Sequence, residues 1–298
     1  MNRETVIEAC DLTKRYGGFE AVHAINFRVT GPRITAFLGR NGAGKSTTIK
    51  MLLGMIKPTS GSGKVLGHSI EDPKQSLLIR RQVAYVGEDK GLYGYMTVEQ
   101  LIRFTRSFYS DWRPDIEQRL LKRYQLPARR KVKALSKGMR TKLALLLALS
   151  RRPSLLILDE PTEGLNPVSI EELLQTLTGI TADGTAIFFS SHQLSDVERI
   201  ADSILMIERG KLVLDLSLDQ IRENYRRITV GFDTQAPETE FRIPGVEHVR
   251  TSGRQLTVIA SRNAGAVVER AQSLAAVSVE VEPVSLREIF PDTVQRSE

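Results

Sequence analysis

Cysteine is almost absent from this chain. Cys10 stands alone, so no internal disulfide can form, and its sequence neighbours offer no Cys/His metal pair. It is expected in a strand, as a small apolar residue. Long hydrophobic runs are missing as well. The longest, residues 143–149, falls far short of the roughly 20 residues a membrane span needs. No charged–apolar–small leader opens the chain, because Met1-Asn-Arg-Glu runs straight into an alternating strand pattern. The simplest expected address is the cytoplasm. The sequence also contains no Asn-Lys-x-Asp stretch of the kind that reads guanine.

What is present is ordinary in bulk. Hydrophobic residues make up 41% and charged residues 26% of 298 positions, which excludes a disordered or fibrous chain. The length suits one large domain or two ordinary ones. The net charge of +7 is unevenly placed. Residues 215–298 hold 10 basic and 13 acidic side chains, and residues 1–214 hold 32 and 22, so the two parts carry −3 and +10. Within the first part, residues 119–142 carry ten Lys/Arg and no acid. Such a block fits nucleic acid, a membrane surface or a phosphate ligand.

Strand-like alternation fills residues 5–38, and a helix is expected over 45–54, stopped by Gly54 and Pro58. A short apolar run at 83–86 precedes a helix-rich stretch, 97–150, broken at Pro114 and Pro127. Leu155–Leu158 is apolar throughout, as a strand buried on both faces of a parallel sheet should be. Helix 168–180, strand 186–189, helix 194–201 and strand 204–207 continue the alternation. This pattern predicts an α/β layered fold around a mainly parallel sheet. After Asp215 short strand-like pieces surround one helical segment near 264–274. A boundary is placed near 215–222, followed by a small α+β domain.

Gly39-Arg-Asn-Gly-Ala-Gly-Lys45-Ser46 matches GxxxxGK[ST] between a strand and a helix. The cradle comprises Gly39, Arg40, Asn41, Gly42, Ala43, Gly44, Lys45, Ser46 and Thr47. Its glycines let successive backbone N–H groups turn inward around phosphates, and the helix N-terminus adds its dipole to the same anion site. Lys45 would reach the β and γ phosphates, and Ser46 would ligate Mg²⁺. The loop alone leaves GTPase, kinase and ATPase open. Asp159 and Glu160 close the apolar strand at 155–158. Two adjacent carboxylates at a strand end repel each other unless a metal and a bound water use them. Asp159 would hold Mg²⁺ through a water, and Glu160 would polarise an attacking water.

These motifs and five others together resemble the ATPase subunit of an ATP-binding-cassette (ABC) transporter, over about residues 3–215. Tyr16, in Lys-Arg-Tyr-Gly-Gly, matches the aromatic that stacks on adenine in that family. Leu135-Ser136-Lys137-Gly138-Met139 is similar to the LSGGQ signature, with Ser136 and Gly138 matching and Lys137 and Met139 departing. Ser190-Ser191-His192 resembles the switch-histidine segment. Glu88 falls where the family places a metal-sensing glutamine, and Asn166 where it usually has Asp.

The resemblance implies an α/β P-loop NTPase core with an N-terminal antiparallel β subdomain and a helical subdomain at about 90–150. These make up an ATP-binding domain over 1–215, with an accessory domain at 216–298. It implies ATP and Mg²⁺ as ligands and Glu160, His192 and Lys45 as the catalytic set. It implies a γ-phosphate sandwiched against Ser136 and Gly138 of a second subunit, and Ser46, Asp159 and Glu88 around the metal. The partners implied are integral membrane permease subunits and a second ATPase subunit, identical or related, at the inner face of the cell membrane. The tail Ser285-Leu-Arg-Glu-Ile-Phe290 resembles that of exporter subunits, so export is the implied direction. The competing reading, a soluble ABC-type ATPase acting on nucleic acid or ribosomes, is not favoured, because the chain has one cassette and no sustained heptads.

Overall fold

The structure is a computed structural model that describes residues 4–289. Phe290 and the rest of the tail lie outside the described residues. The chain forms two compact units, Met1–Asp215 and Leu216–Glu298.

In the first unit, β1 (Thr5–Tyr16), β2 (Phe19–Thr30) and, further on, β4 (Ser60–Val65) and β5 (His68–Ser69) build an antiparallel sheet in the order β2-β1-β4-β5. β1 and β2 carry the expected alternation, with Ile7, Ala9, Leu12, Val22, Ile25 and Phe27 turned inward. Cys10 lies in β1 as expected but is exposed, so it does not pack as a core residue. β3 (Ile34–Leu38) begins the second sheet and runs into α1 (Lys45–Leu52). α2 (Pro73–Gln82) leads to β6 (Val83–Val86). α3 (Val98–Arg106), α4 (Pro114–Arg123), a 3-10 turn (Val132–Ala134) and α5 (Lys137–Leu149) form a helical insertion. β7 (Leu155–Leu158), α6 (Pro167–Ala182), β8 (Ala186–Ser191), α7 (Leu194–Ile200), β9 (Ser203–Glu208) and β10 (Lys211–Ser217) complete the unit.

The second sheet has six strands in the order β10-β9-β3-β8-β7-β6, and β9, β3, β8, β7 and β6 are mutually parallel. Leu155 to Leu158 are all fully buried, and Leu155 and Ile157 share one core with Ile7, Phe27 and Ile49, so the antiparallel sheet and α1 cover one face of the parallel sheet. Phe37 of β3 stacks at 6.1 Å on Phe27 of β2 and at 5.4 Å on Phe188 of β8, so aromatic packing joins the two sheets. Pro114 marks the expected break, between α3 and α4. It occupies the first turn of α4, where its missing N–H costs nothing.

The register aligns the strands' carboxyl ends. Leu38 pairs with Ser191, Leu158 with Phe189 and Val86 with Leu158. Gly39, Glu88, Asp159, Glu160 and His192 all follow directly from these ends, at the edge where open parallel sheets hold ligands.

The second unit opens with α8 (Leu218–Asn224). Its antiparallel sheet has the order β12-β13-β11-β14, from β11 (Arg226–Gly231), β12 (Val246–Ser252), β13 (Gln255–Ala260) and β14 (Ser278–Pro283). Val267 and Ala271 of α9 (Ala264–Ser273) cover Ile228, Val230, Leu256 and Val258. The short α10 (Leu286–Ile289) is tied to the sheet by Arg227–Glu288 at 2.7 Å and by the Ile289 carbonyl, 3.0 Å from His248 Nε2.

Candidate active site

The loop from Gly39 to Gly44 depends on missing side chains. A Cβ on Gly39 would stand 2.5 Å from the Ile207 carbonyl, and one on Gly44 2.6 Å from the Ala21 carbonyl. Gly42 and Gly44 adopt φ of 80° and 112°, which other residues rarely reach. The Ala43 N–H donates to the Arg40 carbonyl at 3.1 Å and closes the loop on itself. α1 starts at Lys45 with no side-chain cap, so its first N–H groups are left for a ligand.

Lys45 is buried. Its ammonium donates to the Gly39 carbonyl at 2.6 Å and to that of Arg40 at 3.2 Å, and it lies 2.9 Å from Glu160 Oε1. No hydrogen bond reaches that oxygen, so the contact with Lys45 is coulombic. The other oxygen, Oε2, is 2.9 Å from His192 Nδ1. Glu160 itself has a left-handed backbone, φ 46°, and its N–H donates to Ser190 Oγ at 2.9 Å. Asp159 Oδ1 accepts from Ser190 Oγ at 2.6 Å and from Ser46 Oγ at 3.2 Å.

A cleft of about 360 Å³ opens over this cluster. Tyr16, Asn41, Gly42, Gly44, Lys45, Ser46, Thr47, Glu88 and Glu160 line it, and Asp159 and His192 stand directly behind. Tyr16 is half-exposed at the mouth, with the Lys14 ammonium 5.1 Å from its ring centre. Ser136 and Gly138 do not line the cleft. Ser136 caps α5 by accepting from the Met139 N–H at 3.2 Å, and a Cβ on Gly138 would meet Ser169 Oγ at 3.1 Å.

Three residues of the site carried no sequence assignment. Ser190 links Asp159 to Glu160; it lay within the quoted Ser-Ser-His run, but a serine at a strand end carries no signal of its own. Phe19 shares the Tyr16 wall, and its position after the Gly17-Gly18 turn was visible. Glu163 faces Glu88. Partial burial, a hydrogen bond with Glu163 and the nearby negative charges of Glu163, Asp159 and Asp89 push the Glu88 carboxyl above its ordinary value. Burial, and then the negative charges of Asp159, Glu88 and Asp89, push the Tyr85 hydroxyl up to about 12. Lys90 is held low, first by burial and then by Lys137.

The site fits a hard cation completed by phosphate. Among the described residues no three His, Cys, Asp or Glu side chains are arranged to hold a metal. The pairing of Ser46 with Asp159 instead offers one hydroxyl and one carboxylate, hard oxygen donors of the kind such a cation takes.

Residues 22–163 match the family model described as ABC transporter. The bacitracin transport ATP-binding protein BcrA of Bacillus licheniformis is 35% identical over 226 residues, which is 75% of this chain and 73% of that protein. The chain belongs to the ATP-binding subunits of ABC transporters. As such it is an ATPase that works with a separate membrane permease, and the nucleic-acid reading is not favoured. A solved ATP-binding subunit of an ABC transporter superimposes with a TM-score of 0.67 at 32% identity, over 74% of this chain and 92% of that one. A dimeric bacterial ABC cassette shares the fold, with a TM-score of 0.65 at 22% identity, over 71% and 98%. Among the described residues no helix of the ABC subunit is long and apolar enough to cross a membrane.

Proposed function

We propose that the cleft binds the triphosphate of ATP and that Glu160 is the general base of its hydrolysis. The observation that carries this is the position of Glu160, with one oxygen 2.9 Å from Lys45 and the other 2.9 Å from His192, at the floor of the phosphate loop. Backbone N–H groups of residues 39–47 and the Lys45 ammonium take the phosphates. The incoming charge competes with Glu160 for Lys45. Once the ammonium turns to phosphate, the carboxylate is free to accept a proton from water, held in orientation by His192. Tyr16 offers its ring to adenine. Ser46 and Asp159 would hold Mg²⁺, with Glu88 at the rim, and the ion would supply charge neutralisation at the phosphates.

Ser136 and Gly138 serve a second subunit. They open a helix whose free N–H groups suit an anion, yet they stand outside their own chain's cleft. ATP is therefore read as sandwiched between two copies, or between this chain and a related one. The catalytic domain is residues 1–215, with the helical subdomain at about 90–150, and residues 216–298 are accessory. An exposed aromatic ladder, Tyr93, Tyr95, Phe104 and Phe108, lies just beyond Glu88 with ring centres 5.0 to 5.9 Å apart. This is the surface on which the permease docks, at the inner face of the membrane. The permease selects the exported cargo.

The test is size-exclusion with light scattering on the Glu160→Gln variant. ATP with Mg²⁺ should double its mass, and Ser136→Asp in the same background should abolish the doubling. A monomer at saturating ATP would refute the sandwich between two copies of this chain.

A further inference from the structure

A second cleft of the first unit lies at the opposite end of its parallel sheet. It opens beside Pro153 and Thr185, just before β7 and β8 begin, whereas Lys45 and Asp159 stand near the ends where strands finish. Its volume is about 430 Å³, within the range of small-molecule sites. On α4, Ile116, Arg119, Leu120 and Arg123 recur at intervals of three and four, so they share one face and form one wall. Gly179, Ile180 and Asp183 at the end of α6 form the other. Leu149 and Arg152 close the cleft behind.

The charges around it are not balanced from within. Arg113 is neutralised by Asp115 through contacts of 3.0 and 2.9 Å. Arg119, Arg123 and Arg152 form no ion pair and their side chains donate to no acceptor among the described residues, so they cap no helix carbonyl. Against these three stand Asp183 and the C-terminal ends of α5 and α6, each worth about half a negative charge. The guanidiniums outweigh that sum. Their planar forks fit phosphate oxygens in pairs.

Gly179 adds an independent observation. It sits inside α6, where glycine is the poorest helix former after proline. Neither backbone conformation nor packing demands it: its φ is negative, and an added Cβ would meet no atom within 4 Å. What its missing side chain does is keep the wall of the cleft open.

We propose that this cleft binds a phosphate-bearing anion of up to nucleotide size, with its phosphate on Arg119, Arg123 and Arg152 and its less polar part over Leu120 and Ile180. A free phosphate ester and a lipid headgroup share this chemistry. The site is separate from the nucleotide cleft and does not depend on the reading of that cleft.

The chain is first saturated with a non-hydrolysable ATP analogue, a step that tests the nucleotide cleft by itself. It is then titrated calorimetrically with inorganic pyrophosphate, alongside Gly179→Leu and the double variant Arg119→Ala/Arg123→Ala. Wild type should take up one further equivalent, and both variants should bind it at least tenfold more weakly at unchanged analogue affinity and melting temperature. A parallel arm measures co-sedimentation with phosphatidylglycerol vesicles against phosphatidylcholine. Vesicle binding that both variants lose, without pyrophosphate uptake, assigns the site to a headgroup. Binding lost only in the arginine variant would overturn the cleft in favour of a diffuse basic surface. Equal behaviour of wild type and variants, or no binding in either arm, would overturn it outright.

Discussion

Lys45 and Glu160 form an ion pair of 2.9 Å with side chains only 5% and 6% exposed. The lysine has two carbonyl acceptors besides, whereas Glu160 Oε1 has no hydrogen bond. The pair is thus asymmetric: the lysine is fixed by the loop, and the carboxylate depends on the lysine. A phosphate arriving beside Lys45 weakens the hold on Glu160 at the moment a base is wanted.

Glu160→Gln keeps the shape and removes the base. The Gly39 and Arg40 carbonyls still hold Lys45, so ATP affinity should stay within about threefold. Turnover should fall by about 10²- to 10⁴-fold, the usual worth of a positioned base. Fluorescent-nucleotide titration and phosphate release measure the two quantities. A near-normal rate would remove Glu160 from its role.

Lys45→Met keeps the length and removes the charge. Glu160 Oε1 would then be buried with no cation, an arrangement that costs about 3 kcal/mol when one partner of a buried pair is lost. Both the melting midpoint and ATP affinity should drop, affinity by more than about tenfold. If the double variant Lys45→Met/Glu160→Gln recovers stability but not affinity, the two roles of Lys45 are separated.

The phosphate loop, the acids at 159 and 160 and the histidine at 192 were legible because each is a run of residues at a strand end, and strand ends converge in a parallel sheet. The four-residue apolar run of β7 was equally plain. β4 and β5 were not, because Ser60-Gly-Ser-Gly has no hydrophobic alternation and its place comes from pairing with β1. α2 was missed although Asp72 and Pro73 form a clear start, with the Asp72 carboxylate accepting from the Lys74 N–H at 2.8 Å. Its few apolar positions gave no periodicity. Asn166 departs from the family's usual Asp, yet it caps α6 by accepting from the Ser169 N–H at 2.8 Å, and Asn and Asp cap equally well. The Glu88–Glu163 contact joins residues 75 positions apart, which no local pattern announces.

The glycines of the loop should differ in sensitivity. Gly44→Ala meets both a left-handed backbone and the Ala21 carbonyl, and should destabilise by about 2 kcal/mol or more. Gly42→Ala has the backbone strain alone, with no atom within 4 Å of the added carbon, and should cost about 1 kcal/mol. Urea denaturation of the three proteins checks the order. Equal losses would mean the contact at Gly44 relaxes freely.

Ser136 has a structural duty and a proposed functional one, and Ser136→Asp separates them. Aspartate caps a helix as well as serine does, so stability should stay within about 0.5 kcal/mol. The added negative charge would face the partner's phosphate, and steady-state ATPase should fall more than about tenfold while single-chain nucleotide binding holds. An unchanged rate would place Ser136 outside the composite site.

Glu88 predicts a pH dependence. Its carboxyl is raised by burial and by Glu163, so the folded state holds that proton more tightly than the unfolded chain does. The stabilisation is fully present below the unfolded value, about pH 4.3, and is lost as pH rises through the folded value. Glu88→Gln removes the titrating partner of Glu163 and restores the glutamine that the family usually has there. Relative to wild type, the variant should therefore gain melting temperature progressively as pH rises from about 4.3, with the difference smallest at the acid end. Melting curves across that range decide it. A difference that shrinks as pH rises would show that Glu163 does not repel the ionised Glu88.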